Sequence, residues 1–165
     1  MRPAWRTSAA FAGLAVAFAG CSGDGGEAAP EPGHGRIGPA GGRIDGPDGA
    51  ALVVPAGSLG DTVDVSIAID ESSLTYAKVR PVGDAFRFDP DDVVFEPMAT
   101  VVVPFVATRI PEGRSVEDVR VYSLVSEVWV ALPTNPVGPN DLAAMAATER
   151  LTVMVAGVPR EPIAR

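Results

Sequence analysis

Residues 63–70 alternate. Val63, Val65, Ile67 and Ile69 are apolar, and Asp64, Ser66 and Asp70 between them are polar. A period of two sends successive side chains to opposite faces of a strand, so the odd positions are expected to face a core. Residues 99–105 alternate less strictly, and residues 151–155 alternate again. Val, Ile, Phe and Thr dominate these stretches, which suits a half-buried pleated surface. Turn signals separate them at short intervals. Gly46-Pro47-Asp48-Gly49 predicts a hairpin joining 42–45 to 51–54. Pro55-Ala56-Gly57 ends the second of these strands, and Asp89-Pro90-Asp91-Asp92 separates 85–88 from 93–96. Further breaks fall at Pro111-Glu112-Gly113 and across 133–139. Two more strands, 119–124 and 127–132, are expected around Val125-Ser126. Only the Ala-rich stretch 140–147 predicts a helix, and a short one. About eight to ten strands in about 120 residues make an all-β, antiparallel sandwich or barrel.

The N-terminus follows another pattern. Arg2 and Arg6 precede a run of small and apolar residues from 9 to 20. A basic start and a short apolar run describe an export signal, and the run is shorter than the roughly 20 residues a spanning helix needs. It closes in Phe18-Ala19-Gly20-Cys21. This resembles a bacterial lipobox, with Phe18 where Leu is common. The resemblance implies cleavage between Gly20 and Cys21 and a covalent acyl or diacylglycerol lipid on Cys21. Each buried acyl CH₂ contributes roughly 0.8 kcal/mol, so two or more chains hold a protein stably on a membrane. Ser22 follows the Cys. In Gram-negative lipoproteins an Asp there resembles an inner-membrane retention signal, so its absence implies the outer membrane. Residues 22–36 are rich in Gly and Pro and carry no large apolar side chain, as expected of a flexible tether. The expected organisation is therefore signal 1–20, linker 21–36, sandwich 37–158 and tail 159–165. His34 falls in the linker, where it is expected to be a solvated residue.

Composition narrows the chemistry. The chain has 165 residues, 47% of them hydrophobic, one Cys and one His. One Cys excludes an intramolecular disulfide, and one His excludes a multi-His metal site. The formal net charge is −8. Arg2 and Arg6 leave with the signal, so the mature chain is more acidic still. That charge opposes nucleic-acid binding.

Several segments carry a family resemblance. Gly41-Gly42-Arg43-Ile44 is followed by Pro47-Asp48-Gly49, then by Leu52-Val53-Val54-Pro55-Ala56-Gly57-Ser58-Leu59 and Val63-Asp64-Val65-Ser66-Ile67. This order resembles the opening of ZU-five domains, the modules of zonula-occludens proteins, netrin receptors and ankyrins. Ser58 stands where that family commonly has Ala. Phe86-Arg87-Phe88-Asp89-Pro90, Phe95-Glu96-Pro97 and Trp129-Val130-Ala131-Leu132-Pro133 resemble its later segments. The resemblance covers about residues 37–158. It implies a β-sandwich acting through protein interfaces. Phe86, Phe88, Phe95 and Trp129 are expected between the two sheets.

Some relatives cleave themselves at a His-Phe-Ser. Here Arg150, Leu151 and Thr152 occupy those places. Arg stays protonated and cannot serve as the base, so self-cleavage is not expected. A hydrolase triad needs a His beside its nucleophile, and the one His lies in the linker. Asp84, Asp89, Asp91, Asp92 and Glu96 are the densest acids. Asp89, Asp91 and Asp92 are weak candidate Ca²⁺ ligands, with solvated turn acids as the simpler reading. The function expected is non-enzymatic: a lipid-anchored envelope protein for adhesion, scaffolding or contact with an envelope or extracellular protein. No other cofactor and no catalytic residue is expected. The alternatives are a Ca²⁺- or glycan-binding surface module and, third, an autoproteolytic domain.

Overall fold

The computed structural model describes residues 33–72, 74–136 and 142–160. The signal, Gly20, Cys21 and most of the expected linker lie outside them, as do residues 161–165. The alternating segments form strands in this order: β1 (His34–Ile37), β2 (Gly42–Asp45), β3 (Ala51–Val54), β4 (Val63–Ile69), β5 (Val79–Asp89), β6 (Val94–Pro104), β7 (Arg120–Val125), β8 (Val128–Ala131), β9 (Thr134–Pro136), β10 (Ala143–Arg150) and β11 (Val153–Pro159). One sheet has six strands in the order β1-β4-β5-β11-β7-β8, and the other has five, β2-β3-β6-β10-β9. Every described pairing is antiparallel. The architecture is an all-β, antiparallel β-sandwich.

The core lies between the sheets. Phe86, Phe88 and Phe95 fill its centre, with Leu52, Val101, Val103, Leu151 and Met154 around them. Fully burying one such side chain contributes roughly 1.5–3 kcal/mol. In β4, Val65 and Ile67 keep only 2% of their exposure, as the period of two requires, while Ile69 at the strand's end stays 41% exposed. The hairpin over Gly46–Gly49 joins β2 to β3 in the expected register, Gly42 opposite Val54 and Asp45 opposite Ala51. At Gly83 of β5 the backbone of β6, in the other sheet, comes close. A Cβ there would fall on the Pro104 carbonyl oxygen, so only Gly fits.

Four expectations need correction. The helix expected over 140–147 is instead a central strand: β10 lies between β6 and β9. Residues 140 and 141 are outside the described set. Ala144 and Ala146, at 0% and 2% exposure, are the small inward residues of an alternating strand. Pairing on both sides overrides the modest helix preference of Ala. The second correction concerns Trp129, which does not lie between the sheets. It sits with Val79, Ala85, Tyr122, Val153, Val155, Leu74, Tyr76 and Leu124 in a separate cluster on the outer side of the six-stranded sheet. Trp129 is opposite Leu124 in the β7–β8 register, one step out of phase with the core residue Val121. A one-step phase change reverses the face. Third, the folded body begins before Ile37. His34 lies in β1, opposite Ser66 of β4. Gly35 serves packing here, since a Cβ on it would meet Ile44 at 2.9 Å. Finally, the β7–β8 turn is one residue later than expected. Ser126 and Glu127 have φ of 47° and 65°, the pattern of a tight primed hairpin turn.

Candidate functional site

The residues flagged for chemistry disperse. Asp84 pairs with Arg109 at 3.0 Å. Among the described residues no three His, Cys, Asp or Glu side chains gather closely enough to hold a metal ion, so Asp89, Asp91 and Asp92 do not converge. Arg150, Leu151 and Thr152 lie at the break between β10 and β11. Leu151 is buried in the core, at 1% exposure. The Thr152 hydroxyl donates to the Leu124 carbonyl at 2.7 Å, and the Thr148 hydroxyl donates to the Arg150 carbonyl at 2.6 Å. The first bond ties the start of β11 to β7, and the second lies within the end of β10. The one His is in β1, at the opposite edge of the six-stranded sheet from β7 and β8.

What these elements do build is a surface at β8. Among the described strands four lie at sheet edges, and an exposed edge offers unpaired backbone N–H and C=O groups to another chain. Three of the four carry features that oppose such pairing. On β1, Arg36 pairs with Asp64 at 3.2 Å. On β2, Arg43 pairs with Asp45 at 2.7 Å. On β9, Pro136 lacks an N–H. The fourth edge, β8, is Val-Trp-Val-Ala, with neither charge nor Pro. Its far side has no strand partner among the described residues. Val128 and Val130 are 61% and 46% exposed, and Val125, opposite Val128, is 52% exposed. These three valines share one face of the hairpin. The patch continues into a cleft of about 450 Å³ bordered by Met98, Val125, Leu132, Pro133, Thr148 and Thr152.

The other face of the hairpin is covered by a strap, residues 70–72 and 74–78. The Tyr76 and Trp129 rings stack with centroids 5.1 Å apart and an interplanar angle of 14°. Trp129 Nε1–H donates to the Thr75 carbonyl at 3.0 Å. The strap is pinned at its start by Asp70, whose side chain keeps 3% of its exposure and pairs with Arg87 at 2.6 Å. The Ser72 N–H donates to the same carboxylate at 2.8 Å. Burial alone would raise the Asp70 carboxyl, but the hydrogen bonds from Ser72 and the Arg87 guanidinium outweigh it and hold the group below its ordinary value. β8 is thus presented as a stiff edge, fixed by aromatic stacking on one face and open on the other.

Trp129–Pro133 stood out in the sequence only for its family resemblance and for Trp129 as a core residue, not as a binding surface. The signal for one was there: a charge-free run from Val128 to Pro133 directly after a turn. What the sequence does not show is that this run ends a sheet. No protein-family model matches the chain, and no curated protein sequence matches it.

Proposed function

We propose that this is a lipid-anchored envelope protein whose ZU-five-like sandwich binds a protein partner by pairing an extended segment of it with β8. One observation carries the binding half of this reading: β8 is the one described edge strand with neither charge nor Pro, and it exposes Val128 and Val130. An added strand would complete the ladder, and its alternate apolar side chains would cover Val125, Val128 and Val130. The lipid anchor rests on Phe18-Ala19-Gly20-Cys21. No catalytic step enters the proposal, and Thr152 has a structural role in it.

The test is crosslinking in intact bacterial envelopes, with the full chain carrying a photoreactive residue at Ala131. A discrete adduct is expected with the native β8 sequence and is lost when Val128→Lys and Val130→Lys are introduced together. Both valines are exposed, so the double variant keeps its melting temperature within the scatter of ordinary surface changes. An adduct of equal yield in both forms, at equal melting temperature, removes β8 as the binding edge.

A further inference from the structure

A second surface shares no residue with β8 and has the opposite electrostatic character to the chain as a whole. Where β5 begins and β11 ends, Val79 lies opposite Pro159. A cleft of about 550 Å³ opens at this end, lined by Arg80, Arg114, Arg160 and one acid, Glu112. In a chain of formal net charge −8, three guanidinium groups on one small cleft are a strong local reversal.

Two of the three are fixed from behind. Arg160 Nε–H donates to the Val79 carbonyl at 2.9 Å, and its backbone N–H donates to the Lys78 carbonyl at 2.9 Å. Arg114 Nη2 donates to the Pro159 carbonyl at 3.4 Å, and its Nη1 lies 3.8 Å from Asp118. The carbonyl contacts orient Arg160 without neutralising it, whereas Asp118 offsets the charge of Arg114. Arg80 is exposed, and its side chain has no ion pair or hydrogen bond with any described residue. Nothing in the packing of the sandwich requires a cation at that position. The cleft is of the size that small ligands occupy.

We propose that this cleft binds a phosphate group. Three guanidiniums offer planar, paired N–H donors that suit phosphate oxygens. Glu112 on the wall and Asp118 behind Arg114 offset two of the three positive charges, which leaves an excess of one, carried by the unpaired Arg80. The phosphate is either free in solution or the headgroup of a lipid. Both place the same chemistry in the same cleft.

The experiment uses the full chain with three variants: Arg80→Glu, Arg80→Ala and Glu112→Gln. One arm titrates inorganic phosphate against chloride at matched ionic strength and reads the rise in melting temperature. The other measures cosedimentation with phosphatidylcholine vesicles, with and without phosphatidic acid. Binding in the first arm identifies free phosphate as sufficient. Binding in the second alone identifies the lipid headgroup. In whichever arm binds, Arg80→Glu is expected to weaken it about tenfold or more, Arg80→Ala less, and Glu112→Gln to strengthen it. The melting temperature without ligand should be unchanged in both Arg80 variants, because that side chain makes no internal contact. The proposal is overturned if phosphate acts no differently from chloride and phosphatidic acid adds nothing, or if Arg80→Glu binds as well as the native chain.

Discussion

Ser58 is 5% exposed, and its hydroxyl has no hydrogen-bond partner. A buried, unsatisfied hydroxyl costs about 1–3 kcal/mol. Ser58→Ala should therefore stabilise the sandwich by about 1 kcal/mol, read as a melting temperature several degrees higher; a lower one would show that the hydroxyl is satisfied. The resemblance marked this position as an Ala site, so the departure was legible, but its burial was not. Asp70 makes the opposite case. Its carboxyl is held below the ordinary 3.8, so the stability it contributes is present above that pH and is lost as pH falls through the lowered value. Asp70→Asn should cost roughly 1.5 kcal/mol at pH 7, with the gap constant down to about pH 5 and closing below about pH 4. A gap that does not shrink at all as pH falls below 3.8 would mean that the charge is not what matters. Nothing in the local sequence announces Asp70, because its partner Arg87 is seventeen residues away. Gly83→Ala should destabilise by several kcal/mol, since the obstacle is the Pro104 carbonyl, which cannot rotate aside as a side chain could.

At the scale of elements, the strands and their turns were mostly legible, because alternation and Pro/Gly punctuation are local signals. β4, the β2–β3 hairpin and the β7–β8 pair lie within a residue or so of their expected positions. β10 was not legible, because an Ala-rich stretch has no strong period and only its neighbours β6 and β9 decide its state. The strap was missed for a related reason. Leu74 and Tyr76 have no pattern of their own and gain meaning only from the sheet beneath them. Trp129→Ala should release the strap and cost about 2–3 kcal/mol. A double-mutant cycle with Tyr76→Ala should return a coupling of about 1 kcal/mol. Additive effects would mean that the rings are neighbours without mutual stabilisation. β8 should still pair with β7 in the variant but lose its stiffness, so partner crosslinking at Ala131 should fall before the fold does.

At the scale of the whole molecule, the sandwich was legible from strand number and spacing, but the division of residues between two sheets was not. Pairing order is long-range information, and the two surfaces that matter depend on it. β8 matters because it is an edge, and the arginine cleft because β5 and β11 bring distant residues to one end. The proposed anchor is tested by the intact mass of the chain expressed in a bacterial host, beside a Cys21→Ala form. A mass beginning at Cys21 with added acyl groups, absent from the variant, is expected; an unmodified chain removes the anchor and leaves the sandwich unchanged. The strand order then has a mechanical meaning. β1, where the proposed tether joins, and β8, where the proposed partner pairs, are the opposite edges of a single sheet. A pull between membrane and partner runs across the strands, so the ladders between them bear the load in series and open one bond at a time. The terminal ladder, four residues of β1 against β4, is the one at the tether. It should open first and reversibly, lengthening the link at low force while the Phe86–Phe88–Phe95 core stays closed.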